Sequence, residues 1–296
     1  MSQEITDAVR EGYGSVARQG LGSHQDGVRS VANAFGYSDD ELASIPAEAN
    51  MGLSCGNPTA MASLREGESV VDLGSGGGLD VFLAARQVGP AGTAIGIDMT
   101  GDMVSLARAN AENGGYDNVR FYLAEIEAMP IPSNSVDCVI SNCVLNLCVD
   151  KDAALREVFR ILKPGGRLAI SDIALKQALP AELEQEVAAW TGCIGGAITS
   201  DDNRAKMAAA GFAEVTIVDS GADLNAYKEA ASAACCVPEP TEQAPASTSC
   251  CAPAATVPTA DDTEFHDRLS ALLDTYDVND YAASVKMFAL KPQDAA

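Results

Sequence analysis

Three cysteines, Cys55, Cys143 and Cys193, sit in glycine- or asparagine-flanked stretches and not inside regular patterns. Singly, each could be a small buried hydrophobe, which free cysteine usually is. As thiolates they would be nucleophiles or ligands for a soft centre. Cys143 is the most informative, because it directly follows Asn142 at the end of a strand-like run. That is where a parallel, open sheet places substrate beside cofactor. Cys138 lies inside the same run and reads as core, whereas Cys148 could be a spare thiol near the site. The chain has two histidines, His24 and His266, neither in a recognisable catalytic setting. An acceptor that must first lose a proton to a general base is therefore poorly served.

The second chemical feature is the stretch Val70 to Gly78, VVDLGSGGG. Val70 and Val71 end a buried strand, and the glycines permit a tight turn with close backbone approach to a ligand. The dinucleotide fingerprint fails here, since Leu79 stands where its third glycine should be. What remains is D-x-G-x-G-x-G, made of Asp72, Gly74, Ser75, Gly76 and Gly78, with a second strand ending at Asp98 and Met99. Asp98 lies about 20 residues beyond the loop, the separation at which an acidic side chain meets a ribose diol in this topology.

The elements that must hold these groups alternate. Strands are expected at 69–73, 93–98, 119–124, 136–142 and 167–173, and helices at 79–87, 101–113 and 152–162, the last closed by Pro164 and Gly165. This predicts an α/β fold, a doubly wound, mostly parallel sheet. Asp98, Glu125 and Asn142 all stand at carboxyl ends of strands. Ahead of the sheet, an amphipathic helix over 5–19 carries Tyr13, another runs through Val31 and Phe35, and Ser38 or Asp39 caps a turn before Pro46. After it come a helical stretch at 180–190, another at 201–210 and a strand at 214–218. The hairpin partner of that strand is expected far away, at 284–290. Residues 230–262 are rich in Ala, Pro, Thr, Ser and Glu and read as a flexible insertion. Helical spacing returns over 263–276, so the chain end should complete the sheet.

The organisation expected is thus 1–66 for N-terminal helices and the Cys55 loop, 67–175 for the cofactor core, 176–229 for a cap with Cys193 and the penultimate strand, 230–262 for the insertion, and 263–296 for the last helix and strand. The formal net charge is −23, from 42 acidic against 19 basic residues. Such a field argues against nucleic acid or an anionic membrane as partner, and it suits a chain that works in high salt. No signal-peptide pattern and no run of 18 apolar residues is present, so a cytoplasmic protein is expected. In a reducing compartment its cysteines should be buried, reactive or ligating thiols and not a disulfide framework, and no C-x-x-C spacing occurs.

Four motifs, MGLSCGNP (51–58), GIDMT (96–100), ISNCVLNL (140–147) and TGCIGGA (191–197), together with the LKPGG turn, resemble the arsenite S-adenosylmethionine methyltransferase family, across most of residues 8–220. The resemblance implies the class I methyltransferase fold, a Rossmann-like sheet of seven strands with an arsenical-binding cap and a C-terminal extension. It implies S-adenosylmethionine as cofactor, with Asp98 on the ribose, Glu125 and Ile126 near the adenine, and Tyr13 near the methionine end, although a packing tyrosine is an equal reading. Arsenite and methylated arsenicals would be substrates, held by Cys143 and Cys193. Cys55 would either reduce a pentavalent product by forming a disulfide or serve arsenic that stays trivalent. The first case needs a thiol reductant of thioredoxin or glutathione type. Family members often carry a cysteine pair near position 23, where this chain has Ser23 and His24. The vicinal pairs Cys235-Cys236 and Cys250-Cys251 could deliver arsenite or be incidental. Two other functions fit the cofactor half alone: methylation of a small organic acceptor, and metalloid sequestration on a vestigial fold.

Overall fold

Seven segments with strand-like burial form one sheet in the computed structural model, which describes residues 2–180, 193–225, 275 and 277–294. In chain order the elements are α1 (Ser2–Arg18), α2 (Asp26–Ala34), α3 (Asp39–Ala43), α4 (Pro58–Ala62), β1 (Ser69–Leu73), α5 (Leu79–Val88), β2 (Thr93–Asp98), α6 (Gly101–Gly114), β3 (Val119–Leu123), β4 (Val136–Asn142), α7 (Lys151–Ile161) and β5 (Leu162–Leu175). They are followed by α8 (Ser200–Ala209), β6 (Ala213–Asp219), α9 (Val278–Tyr281) and β7 (Ala282–Leu290). The sheet order is β3-β2-β1-β4-β5-β7-β6. Strands β1 to β5 pair in parallel, and β7 runs antiparallel between β5 and β6.

The central strands β1 and β4 are largely buried on both faces, as strands covered by helices on both sides must be. Two apolar layers result. One packs Phe82, Val104 and Phe121 under α5 and α6; the other packs Leu155, Val158 and Met287 under α7. Helix α3 starts as its sequence suggests: the Ser38 side chain accepts from the Glu41 N–H and Glu41 reaches back, a reciprocal cap.

The last strand is the consequential element. Its full length pairs with β5, from Arg167 opposite Leu290 to Leu175 opposite Ala282. The expectation that the chain end completes the sheet holds. One boundary is corrected: α7 ends at Ile161, before Pro164 and Gly165, and β5 already begins at Leu162, which pairs with Val136. The residue before a proline is driven to extended backbone, so LKPGG starts the strand instead of closing the helix. The helices expected over 180–190 and 263–276 and the insertion at 230–262 lie almost wholly outside the described residues. No described helix is long and apolar enough to cross a membrane.

Candidate active site

A cleft of about 330 Å³ opens at the carboxyl ends of β1, β2 and β4, beneath α1. Its wall contains Tyr13, Asp72, Gly74, Ser75 and Gly76, then Asp98, Met99, Glu125 and Ile126, then Asn142 and Cys143. The sequence brought nearly all its candidates to one place. Among the cofactor candidates Gly78 is the exception, being absent from the wall, as are the thiols Cys55 and Cys193. The φ of Gly78 is +99°, and a Cβ there would stand 2.6 Å from the Phe82 ring, so this glycine serves packing at the start of α5. Gly74 has φ +64°, and a Cβ on it would collide with Val144. Only glycine lets the loop pass that close to the segment carrying Cys143. Ser75 contributes little by its hydroxyl, which is buried against Gly96 without a partner.

Three buried carboxylates mark the floor. Asp98 accepts from the N–H groups of Gly76 (2.9 Å) and Thr100 (2.8 Å), and burial raises its pKa. Asp72 is raised well above the ordinary range by burial, and further by the charges of Asp80 and Asp98. Burial pushes Asp80 up to about 6 against the pull of hydrogen bonds from Tyr37 and Asn142. Neither Asp80 nor Tyr37 was singled out from the sequence. Among the described residues no ion pair reaches these three acids. A ligand carrying both cationic groups and a diol fits this donor set, and S-adenosylmethionine has an ammonium, a sulfonium and a ribose.

Asn142 joins the cleft to the thiols. Its Nδ2 donates to the Gly56 carbonyl (2.7 Å) and the Tyr37 hydroxyl (2.8 Å), while its Oδ1 accepts from the Cys55 N–H (3.0 Å). The Cys55 carbonyl accepts from the Ser284 hydroxyl at 2.7 Å, so β7 fixes the same loop from the other side. Gly56 lets the loop lie on β5, because a Cβ there would meet the Ser171 side chain at 2.5 Å.

The three predicted thiols converge, and all are buried. Cys55 and Cys143 meet side chain to side chain with Cα atoms 5.9 Å apart, a separation that a disulfide can span, across 88 residues of sequence. Cys138, Cys148 and Cys193 are free thiols. The Cys193 thiol donates to the Cys143 carbonyl at 2.8 Å. Burial pushes its pKa well up, as does the Asp172 charge, and a hydrogen bond with Tyr13 opposes both. Cys143 and Cys193 have φ of +61° and +63°, a left-handed backbone that is uncommon in non-glycine residues. Such conformations cost on the order of 1–3 kcal/mol and persist where surroundings enforce them. Here the Cys143 N–H is held by the Ser171 carbonyl at 2.8 Å. The segment after Cys193 returns to the sheet through a bridge between Leu175 and Thr199. Val31, Phe35, Ile173, Ile194 and Val278 enclose the thiols in an apolar shell.

Asp172 was missed from the sequence, although a charged residue inside the apolar run AISDIAL was a signal. It is fully buried, with one carboxylate oxygen near the sulfurs of Cys55 and Cys143, the three ligand atoms lying within 4.8 Å of one another. Cys138 is core, as expected, and burial pushes its pKa up to about 12. Cys148 does line the cleft, where its thiol donates to Glu127 at 2.8 Å.

Residues 64–211 match the family described as a methyltransferase domain. Over 230 residues the chain is 42% identical to the arsenite methyltransferase of Halobacterium salinarum, covering 73% of this chain and 59% of that one. Against the arsenite methyltransferase of Aquipseudomonas alcaligenes the identity is 38% over 164 residues, covering 53% and 47%. The chain thus spans about half to three fifths of the length of these curated relatives. The crystal structure of an arsenic(III) S-adenosylmethionine methyltransferase from Chlamydomonas reinhardtii superposes with a TM-score of 0.54 at 24% identity, covering 90% of this chain and 74% of that one. That likeness establishes the doubly wound seven-stranded fold.

Proposed function

Because this chain belongs to the methyltransferase-domain family, with arsenite methyltransferases among its homologues, we propose that it transfers methyl groups from S-adenosylmethionine to trivalent arsenic held on its buried thiols. The observation that carries the reading is that Cys143 belongs to both halves of the site. It lines the cofactor cleft, and it adjoins Cys55 and Cys193 in an apolar shell.

When bound, S-adenosylmethionine supplies an electrophilic methyl group on a sulfonium. Asp98 is placed to accept from the ribose hydroxyls, and Asp72 and Asp80 make the cleft favourable for positive charge. Arsenous acid is neutral, and each thiol that displaces a hydroxyl from it releases one water, the thiol proton leaving with that water. Neutral, buried thiols therefore suit this substrate, and two such exchanges at Cys143 and Cys193 seat the arsenic without a general base. Its lone pair bears no proton, which accords with the absence of a histidine among the described residues of the cleft wall. The protein's work is alignment in a site closed to water, done by the strained backbones of Cys143 and Cys193 and the Asn142 clasp.

The juxtaposition of Cys55 and Cys143, with Cα atoms 5.9 Å apart, supports a reductive role for Cys55. Methylation raises arsenic to the pentavalent state. Two thiolates return two electrons to it as they join in a disulfide, and an external thiol of thioredoxin or glutathione type then reopens that bond.

Incubation of the purified protein with S-adenosylmethionine, arsenite and a thiol reductant, followed by chromatographic separation of arsenic species, tests the proposal. Methylated arsenic is expected from the wild type and none from Cys143→Ser or Cys193→Ser. Cofactor binding without any methylated arsenic would overturn it in favour of an organic acceptor.

A further inference from the structure

We propose that Cys55, Cys143 and Asp172 form a site for a divalent d10 cation of the zinc and cadmium class. The three ligand atoms come from three chain segments, the loop before α4, the residue after β4 and the later part of β5, and lie within 4.8 Å of one another in a buried setting. Two sulfurs and a carboxylate oxygen suit zinc or cadmium, while magnesium and calcium call for oxygen alone.

Asp172 is built as a held ligand. Its Oδ1 accepts from Asn146 Nδ2 (2.9 Å) and the Ile173 N–H (2.8 Å), and its Oδ2 accepts from the Asn146 N–H (3.2 Å). Outer partners of this kind fix the orientation of metal-bound carboxylates. Thiol-bound trivalent arsenic has no use for such a carboxylate, so Asp172 is a buried group that methyl transfer leaves unemployed. Two thiolates and a carboxylate on a dication carry one net negative charge. The buried Lys151, whose Nζ donates to the carbonyls of Asn146 (3.4 Å) and Cys148 (3.2 Å), lies close enough to attract Asp172 and offset it.

Loading needs both thiols reduced, which a phosphine in the buffer ensures. Two S–H protons then pass to buffer as two sulfur–metal bonds form; no electron is transferred to or from the cation. The cation and arsenic share Cys143, so each excludes the other. The inference stands apart from the methylation reading, because binding is measured with neither arsenic nor S-adenosylmethionine present.

The test uses the full chain with Cys235, Cys236, Cys250 and Cys251 changed to serine, reduced, and titrated with cadmium. One equivalent is expected, with thiolate-to-cadmium absorption and a cadmium-113 resonance in the range of two sulfur ligands plus oxygen. Asp172→Asn is expected to weaken the site roughly tenfold or more. A three-sulfur resonance, unchanged affinity in Asp172→Asn, or no uptake would each overturn the proposal. Should Asp172→Asn fail to fold, the resonance of the protein with Asp172 intact decides.

Discussion

Ser284, on the last strand, donates its hydroxyl to the carbonyl of Cys55 at 2.7 Å, across 229 residues of sequence. The C-terminal strand therefore does more than close the sheet. It sets the height at which the Cys55 loop meets Cys143. Ser284→Ala leaves a buried carbonyl short of its donor and should lower stability by about 1–3 kcal/mol. Because Cys55 is assigned to reduction, multiple-turnover methylation should fall more than the first turnover. Denaturant unfolding and single-turnover assays check the two parts.

Tyr13 reaches from α1 to the Cys193 thiol while lining the cofactor cleft. Tyr13→Phe keeps the ring and removes the hydrogen bond, a loss of about 1 kcal/mol. The apparent affinity for a trivalent arsenical should drop several-fold and that for S-adenosylmethionine much less. Separate titrations of the two ligands measure this, and an equal loss for both would make Tyr13 a cofactor residue only.

Asp80 carries a pH signature. Its pKa rises from 3.8 to about 6 on folding, so the native state holds this proton more tightly than the unfolded chain does. The resulting stabilisation is complete below pH 3.8 and is lost as pH climbs through about 6. At neutral pH the ionised, buried Asp80 is a liability on the order of 3 kcal/mol. Asp80→Asn should therefore gain on the wild type between pH 4 and pH 7. Unfolding curves across that range give the difference, and a constant gap between the two proteins would contradict the assignment.

Helix α1 is pinned by exposed ion pairs, Arg10 to Glu125 at 3.3 Å and Arg18 to Asp102 at 2.5 Å. Exposed pairs of this kind contribute little and weaken in salt. The net charge of −23 acts the other way, since screening relieves self-repulsion over the whole surface. The second effect should win. Thermal unfolding followed by circular dichroism is expected to shift upward from low to molar salt, and a falling midpoint would show the α1 pairs to dominate.

The sequence by itself determined the sheet and the cofactor cleft. Strand periodicity, the glycine loop and the acidic strand end are local signals, and a parallel sheet converts them into a site by geometry common to all such folds. It also supplied the three thiols, because cysteines in glycine-rich loops at strand ends are visible without coordinates. Even the distant β7 was readable as an apolar strand lacking a partner. Tertiary structure alone decided which groups touch. That Cys55 lies against Cys143, that Asn142 clasps the Cys55 loop instead of only facing the cofactor, and that Ser284 and Asp172 belong to the thiol site depend on contacts between segments remote in sequence. The glycines show the same division. Their types marked a turn, but only packing distinguished Gly74, which admits Val144, from Gly78, which admits Phe82 and leaves the cleft. Spacing along a chain fixes local backbone geometry, whereas contact between side chains is set by how helices and strands close on one another in three dimensions.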